Sequence, residues 1–464
     1  MGYRAYPEYS HSGVEWLGKV PADWEVRRLK FVASHNDETL AEKTDGQYEI
    51  EYVDISSVDL VQGIISTESM PYEKAPSRAR RVVRHGDTLV STVRTYLKAI
   101  ATVSNPPDNL IASTGFAVIR ASDEIDAGFL SYYLQSQGFV NAVVANSTGV
   151  SYPAINASDL VCLPTAYPTN KKEQANIAQF LDHKIAQIDR LIEKKQELIE
   201  KLQEQRSSII TIAVTKGVNA QALTGSCTQE WLRDVPDHWK HNQKLNFLSR
   251  DDRNSFVNGP FGSDLLTTEL VNEGVPVIYS GDVKHTGFHR KSEKYVTEDK
   301  AKQLDFCRVD GGDILLAKVG DPPGDACVYP IGQPSSIVTQ DVVRIKVDKR
   351  TIDAEYLCFL LNSEYGRHLV RLVSVEATRG RFSLADLKSI RHILPPLEEQ
   401  QEIVLHIHQQ LKRCNRLCDL AIREIETLQE YRTALITAAV TGQIDVRDWQ
   451  APEPTKEPAD KEVA

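Results

Sequence analysis

The chain has 464 residues, 41% of them apolar and 25% charged, a balance ordinary for globular protein and a length that predicts two or three domains. Its formal net charge of −10 excludes a surface that is basic all over, so any hold on phosphates must come from local clusters. No apolar run approaches the roughly 20 residues needed to span a bilayer. The opening MGYRAYPEYSHSG lacks the apolar core of an export signal, and seven cysteines without a CxxC pair fit neither a zinc ribbon nor a disulfide framework, so a reducing cytoplasm is the expected setting.

Residues 1–19 read as an N-terminal arm. Gly13 to Lys19 (GVEWLGK) has the glycine–lysine spacing of a phosphate loop, but Val20 replaces the magnesium-binding Ser or Thr and no apolar strand precedes it. Residues 20–164 read as a mixed α/β domain. Within it Lys74, Arg78, Arg80, Arg81, Arg84, Arg94 and Lys98 face only Asp87, a stretch that is either a solvated face or a phosphate-binding surface. Gly86 to Val93 reads as a turn entering a strand, Ile111 to Ile119 as a further strand, and Phe129 to Val143 as a short helix. Asn105 to Asp108 (NPPD), like Asp321 to Gly324 (DPPG) later, has the outline of a base-holding methyltransferase motif. Neither has the aromatic fourth residue that would stack on a flipped base, so both read as proline turns.

Residues 165–218 hold a long amphipathic helix, with apolar steps of three and four at Ile177, Leu181, Ile185, Ile188, Leu191, Ile192, Leu198, Leu202 and Ile209. Residues 219–234 read as a linker and 235–395 as a second mixed domain, with Gly312 to Val319 and Ile337 to Val347 as strands and Tyr356 to Val373 as a short helix. Its basic stretch is Arg367, Arg371, Arg379, Arg381, Lys388 and Arg391. Residues 396–445 form a second long helix, opened by Pro396 and the acidic first turn of Glu398 and Glu399. One narrow stripe on each helix predicts that the two pair antiparallel, through Leu181, Ile185, Ile188, Leu202 and Ile209 on one and Ile407, Leu411, Cys414, Leu428 and Leu435 on the other. Cys414 and Cys418 fall where the first helix has Ile188 and Ile192, so they read as small apolar knobs. His406 and His408 point different ways, so no metal site is expected. Residues 446–464, ending in APEPTKEPADKEVA, read as a disordered tail. No HExxH, GxSxG or other nucleophile–base set occurs, and no catalytic residue is expected.

The strongest signal is duplication. Val20 to Trp24 (VPADW) returns as Val235 to Trp239 (VPDHW), and Gly86 to Leu89 (GDTL) as Gly312 to Leu315 (GDIL), an offset of 226. Ser158 to Leu160 returns as Ala385 to Leu387, Leu163 and Pro164 as Leu394 and Pro395, Glu173 and Gln174 as Glu399 and Gln400, and ITIAVT from Ile210 as ITAAVT from Ile436. The landmarks keep one order at nearly one offset. Such a period is far too long for a solenoid of about 20–50 residues per unit, so it predicts two whole domains of one design, each closed by a long helix.

Ser12 to Lys30 (SGVEWLGKVPADWEVRRLK), the junctions Asn146 to Pro164 (NSTGVSYPAINASDLVCLP) and Arg381 to Ile403 (RFSLADLKSIRHILPPLEEQQEI), and Asn258 to Leu265 (NGPFGSDL) together resemble the Type I restriction–modification specificity-subunit family over nearly the whole chain. The first junction departs by extra residues, Ala166 to Asn170, before its helix. The resemblance implies an α+β fold with two similar mixed α/β target-recognition domains, set apart by two long antiparallel, coiled-coil-like helices in a pseudo-twofold arrangement. It implies a non-catalytic chain that reads a bipartite target in double-stranded DNA, one half-site per domain, with the helices as a ruler. The helices would dock two methyltransferase subunits and, through them, the restriction (translocase) subunits. S-adenosylmethionine, ATP and magnesium would belong to those partners, and the terminal arms would pack near the helices to close a circular arrangement.

For the first domain the expected DNA contacts are Arg78, Arg80, Arg81, Arg84, Arg94, Tyr96 and Lys98, divided between phosphates and guanine edges; surface salt bridging is the alternative for Arg80 and Arg84. For the second they are Lys244, Arg250, Arg253, Lys318 and the segment Asn258, Gly259, Phe261, Gly262 and Ser263, with a core position as the alternative for Phe261. Thr148, Ser151, Tyr152, Arg379 and Arg381, in the junction loops, are expected to follow the backbone. Two other functions remain open on sequence: a methyltransferase or nuclease acting alone, against which the missing motifs count, and a coiled-coil scaffold that never meets DNA. The scaffold would show neither sequence preference nor steep salt dependence.

Overall fold

The structure, a computed structural model, describes residues 3–452 except 150–151, 220, 226–231, 233, 249–253, 263, 321 and 375–379. The expected disordered tail 446–464 is corrected at its start, where Val446 is buried and Trp449 packs against the core; its remainder from residue 453, and the expected contacts Ser151, Arg250, Arg253, Ser263 and Arg379, lie outside the described residues. The chain divides into two compact units, residues 1–195 with 422–464, and residues 196–421, so the divisions fall inside the two long helices Lys171–Lys216 and Leu397–Val440.

In the first unit one four-stranded sheet runs Ile100–Thr102, Thr88–Ser91, Phe116–Ala121, Ala33–His35, and another runs Glu68–Pro71, Glu49–Val53, Leu110–Ser113, Ala79–Val82. The apolar run read as a single strand from Ile111 to Ile119 therefore breaks and changes sheets. Leu110–Ser113 pairs parallel with Glu49–Val53, while Phe116–Ala121 pairs antiparallel with Thr88–Ser91. The break is at Thr114 and Gly115, where a Cβ on the glycine would stand 2.7 Å from Ile55 Cδ1. The second unit repeats the order: Phe256–Asn258, Val342–Ile345, Ile314–Ala317, Ala326–Val328 in one sheet, and Tyr295–Val296, Val275–Ile278, Ser336–Val338, Arg308–Val309 in the other. Its run from Ile337 to Val347 breaks in the same way, between Ser336–Val338 and Val342–Ile345.

The helices read as single pieces are also pairs, Ala127–Gln135 with Gln137–Ala145 and Ala354–Asn362 with Glu364–Leu372. At each break a buried serine, Ser136 or Ser363, turns its hydroxyl back to the carbonyl three residues earlier, at 2.6 Å in both. This local competition for a backbone acceptor ends the first helix of each pair.

Each long helix is fastened to its domain by the Glu–Gln pair found in the repeat. Glu173 Oε1 accepts from Trp24 Nε1 at 3.1 Å and from the Tyr6 hydroxyl at 2.8 Å; Glu399 Oε2 accepts from Trp239 Nε1 at 3.0 Å, with His238 Nε2 at 2.8 Å. Gln174 and Gln400 are fully buried. Their amide oxygens accept from Asp126 N and Asp353 N, and their amide nitrogens donate to Pro168 O and Pro395 O. These bonds correct the register read at the first junction. Pro164–Pro168 pairs along its length with Trp24–Arg28, as Arg391–Leu394 pairs with Lys240–Lys244, so Ala166 to Pro168 belongs to the strand and only one residue is extra, between Pro168 and Gln174. The counterpart of Leu163 is Ile390, their carbonyls accepting from Leu29 N and Leu245 N, and the counterpart of Pro395 is Pro168. Leu163–Pro164 and Leu394–Pro395 are alike in sequence but stand at different positions of the two junction strands.

Residues 219–234 are not merely a linker. Thr224–Gly225 pairs with Val235–Pro236 as Tyr9–His11 pairs with Lys19–Pro21, which makes this segment the counterpart of the N-terminal arm. The arm packs on the C-terminal segment: Arg4 bridges Asp445, the Tyr9 hydroxyl donates to Gly442 O at 2.9 Å, and Trp449 meets Phe180 edge-on.

In both units the long helices run antiparallel. In the first, Ile185, Ile188 and Ile192 share a core with Leu428 and Leu435, and the ion pairs Arg432–Asp189 (3.1 Å) and Lys195–Glu424 (2.5 Å) ascend one helix while descending the other. In the second, Ala213 and Val214 share a core with Ile403 and Ile407, and Leu411 packs against it. Leu181, Leu202 and Cys414 are buried as expected. Ile209 and Ile210 are both half-buried, and it is Ile210 that packs against the core, because a period of 3.6 residues drifts off a strict heptad over this length. Leu191 and Leu198, counted in the first stripe, are exposed, as is Leu417 on the second helix.

Candidate nucleic-acid interface

Strand Thr88–Ser91 of the first unit delivers the chain into a tight loop. Arg94 and Lys98 both take left-handed backbone conformations, with φ of 50° and 53°, on either side of the turn Thr95–Leu97. Left-handed non-glycine residues are uncommon, and the surroundings have to hold them. Here Thr95 is buried and its hydroxyl lies 2.8 Å from that of Ser147, while Val93 and Thr148 both bridge Ala154. The inward turn of Thr95 throws Arg94, Tyr96 and Leu97 outward, Tyr96 with 52% of its surface exposed.

The guanidinium of Arg94 lies over the ring of Tyr152, 4.9 Å from its centroid. Arg78 joins them, its Nε donating to the Tyr52 hydroxyl at 3.1 Å and its Nη2 2.5 Å from Asp54 Oδ2. Asp54, Arg78, Val93, Arg94, Leu97 and Tyr152 line a cavity of about 470 Å3. The set offers guanidinium donors matched to phosphate or guanine, a carboxylate acceptor and an exposed aromatic face.

The other arginines of the basic stretch are elsewhere. Strand Ala79–Val82 alternates its faces, which separates neighbours in sequence. Arg80 stacks on Tyr72 and bonds its hydroxyl. Arg81 is half-buried, and burial pulls its guanidinium below the usual range; its Nε has no partner among the described residues. Arg84 pairs with Glu38 at 2.7 Å, and Glu38 also holds Arg120, which binds the buried Asp87. For Arg84 the structure therefore shows the salt-bridge alternative.

In the second unit Val319–Gly320 pairs with Gly380–Arg381, the counterpart of the bridge between Val93 and Ala154. Lys318, half-buried, enters this strand with its amide bonded to Asp341 O, and Arg381 is exposed. Gly259 is required by close approach, since a Cβ would stand 2.0 Å from Val338 O. The Asn258 amide donates to Gly259 O at 3.1 Å. Phe261, with 62% of its surface exposed beside Gly262, is not a core aromatic. Lys244 is exposed on its strand opposite Arg391. Among the described residues no cluster of His, Cys, Asp and Glu could hold a metal ion, and no helix is long and apolar enough to cross a membrane.

Residues 21–201 and 264–427 match the Type I restriction modification DNA specificity domain. The chain belongs to this family. Among relatives of the specificity family, the type I restriction enzyme MjaVIII specificity subunit of Methanocaldococcus jannaschii is 22% identical over 435 residues, covering 93% of this chain and 95% of that protein. A solved chain from work on complex assembly and conformational transition of the type I R-M system aligns with a TM-score of 0.64 at 23% identity, over 91% of this chain and 98% of the other. The HsdS subunit from Thermoanaerobacter tengcongensis aligns with a TM-score of 0.51, also at 23% identity, over 92% and 98%. At that identity the solved structures attest to the fold: mixed α+β, two sheet-rich domains and two long helices.

One further surface escaped the sequence reading. Lys284, His289, Arg290, Lys291 and Lys294 fall in the run VKHTGFHRKSEKY, basic residues interleaved with aromatics, and Arg290 stacks on Tyr295 at 4.9 Å. Buried Asp282 holds this loop by accepting from Lys291 N (2.8 Å), Ser292 N (3.1 Å) and Tyr279 N (2.9 Å), leaving Arg290, Lys291 and Lys294 exposed. Its mark in the sequence is faint because the basic residues are diluted by Ser292 and Glu293.

Proposed function

We propose that this chain is the sequence-reading, non-catalytic subunit of a Type I restriction–modification complex in the cytoplasm, each half reading one part of a bipartite DNA target. The observation that carries this reading is the repetition of one strand–turn bridge, Val93 with Ala154 and Val319 with Arg381, each beside solvent-facing side chains able to contact DNA: Arg94 and Tyr152 in one, Arg381 in the other. Arg78, Arg94, Tyr96, Lys98 and Tyr152 are the proposed contacts of the first domain. In the second they are Lys318, Arg381, Phe261 with its flanking glycines, and the added Arg290, Lys291 and Lys294.

The long helices are the proposed docking surface for two methyltransferase subunits, through which the restriction subunits attach. Leu198, Leu417 and Leu420 are exposed on them, an excess of apolar surface that fits a partner better than water. S-adenosylmethionine, ATP and magnesium are then the partners' requirements, and the reading of bases is this chain's. The test is to map methylated sites across the host genome with and without the gene. A two-part motif that loses its methylation on deletion supports the reading; methyl transfer by the purified chain alone, or an unchanged pattern, opposes it.

A further inference from the structure

The two units depart from each other where the hairpin after the first sheet strand reaches the paired helices. In the first unit the tip between Val58–Asp59 and Gly63–Ile64 packs the half-buried Leu60 against the core, and Val61 O accepts from Arg432 Nη2 at 3.4 Å. Arg432 is 6% exposed and paired with Asp189 at 3.1 Å, and the Tyr132 hydroxyl donates to Asp182 Oδ1 at 2.8 Å. The place is filled and its charges are matched.

In the second unit all of these fillers except the arginine are changed. The corresponding hairpin, Val283–Lys284 with Gly287–Phe288, carries His285 and Thr286 at its tip instead of Leu60 and Val61. Phe359 stands for Tyr132, His408 for Asp182 and Asn415 for Asp189, while Arg206 stands for Arg432. What remains is a cavity of about 720 Å3 inside this unit, in the range of pockets for small ligands. Ile210, Leu411, Phe359, Cys358 and Val328 supply an apolar wall, and Arg206 lines the same space. Arg206 is half-buried and, among the described residues, has no carboxylate partner. Arg367 pairs with Asp325 at 2.8 Å, and Glu355 Oε2 lies 2.6 Å from His408 Nε2. Among the described residues lining the cavity, Arg206 is the guanidinium without an ion pair, and its planar fork fits a carboxylate, phosphate or sulfonate.

We infer that this cavity is a binding site for a small organic anion with a flat apolar body, its acidic head on Arg206 and its body against Phe359, Ile210 and Leu411. None of the proposed DNA contacts of the second domain lines this cavity. It is tested on the full chain by fluorescence titration with 8-anilinonaphthalene-1-sulfonate, with adenosine 5′-monophosphate and adenosine as competitors. The expected result is one saturable site from which the monophosphate displaces the probe and adenosine, lacking the anion, does not. Asn415→Asp restores the carboxylate that the first unit places beside its arginine, at an exposed position that does not threaten folding, and is expected to weaken binding about tenfold. Ser207→Trp, which fills the space, is expected to abolish it. Equal displacement by adenosine, no displacement by the monophosphate, or unchanged affinity in Asn415→Asp overturns the proposal.

Discussion

Replacing Gln174 by Leu tests whether the buried amide is what joins the first domain to its helix. The side chain is 0% exposed, accepts from Asp126 N at 2.6 Å and donates to Pro168 O at 2.7 Å and Glu124 O at 3.3 Å. Asp126 in turn caps the helix Ala127–Gln135 by accepting from Phe129 N at 2.9 Å. Leucine preserves most of the volume but strands at least one buried N–H and one buried carbonyl, each costing about 1–3 kcal/mol, so a loss of about 4 kcal/mol is expected. For a unit of this size about 1 kcal/mol moves Tm by roughly 2–4 °C, which puts the shift at about 8–16 °C in scanning calorimetry. Gln400→Leu, with the same bonds to Asp353 N and Pro395 O, is expected to lower the transition of the second unit by a similar amount. Shifts below about 2 °C in both variants would refute the reasoning, because the latches would then contribute almost nothing.

Four other outcomes follow from the same geometry. Arg94→Ala is expected to cost about 1–3 kcal/mol of discrimination at one half-site only, read by binding to single-base variants of the target. Arg84→Ala, which breaks only an exposed pair with Glu38, is expected to change stability by less than about 1 kcal/mol in urea unfolding. A helical insertion after Leu202 is expected to change the permitted spacer between half-sites while leaving both half-sites alone, as seen in the methylated motif. Burial holds His392 neutral, down to a pKa of about 4, its bond to Ile393 O opposing only in part. Because this value lies below the unfolded one near 6.5, the second unit should lose up to about 3 kcal/mol as pH falls from about 6.5 to about 4. His392→Thr, the residue found at the counterpart position 165, should flatten that fall in the urea midpoint measured against pH.

The duplication was legible because its landmarks are positions with narrow requirements. Gly86 and Gly312 take φ of 87° and 93°, Trp24 and Trp239 donate to Glu173 and Glu399, and Gln174 and Gln400 satisfy three groups each. Long helices were legible from their stripes. The strand breaks at Gly115 and near Thr339 were not, since an apolar run carries no mark of which sheet each part joins. Arg80, Arg81 and Arg84 were grouped with Arg94 by proximity in sequence, whereas strand alternation and the Glu38–Arg120–Asp87 network separate them. The partnership of Arg94 with Tyr152 depends on a bridge between distant segments, which no local pattern announces.

The central claim, one reader per half, is tested most directly by selecting bound duplexes from a fully random DNA library with the intact subunit complex. The account expects two short blocks of fixed bases with an unconstrained stretch of constant length between them, and Arg94→Ala degrading only one block. A single uninterrupted motif, or degradation of both blocks together, would contradict it.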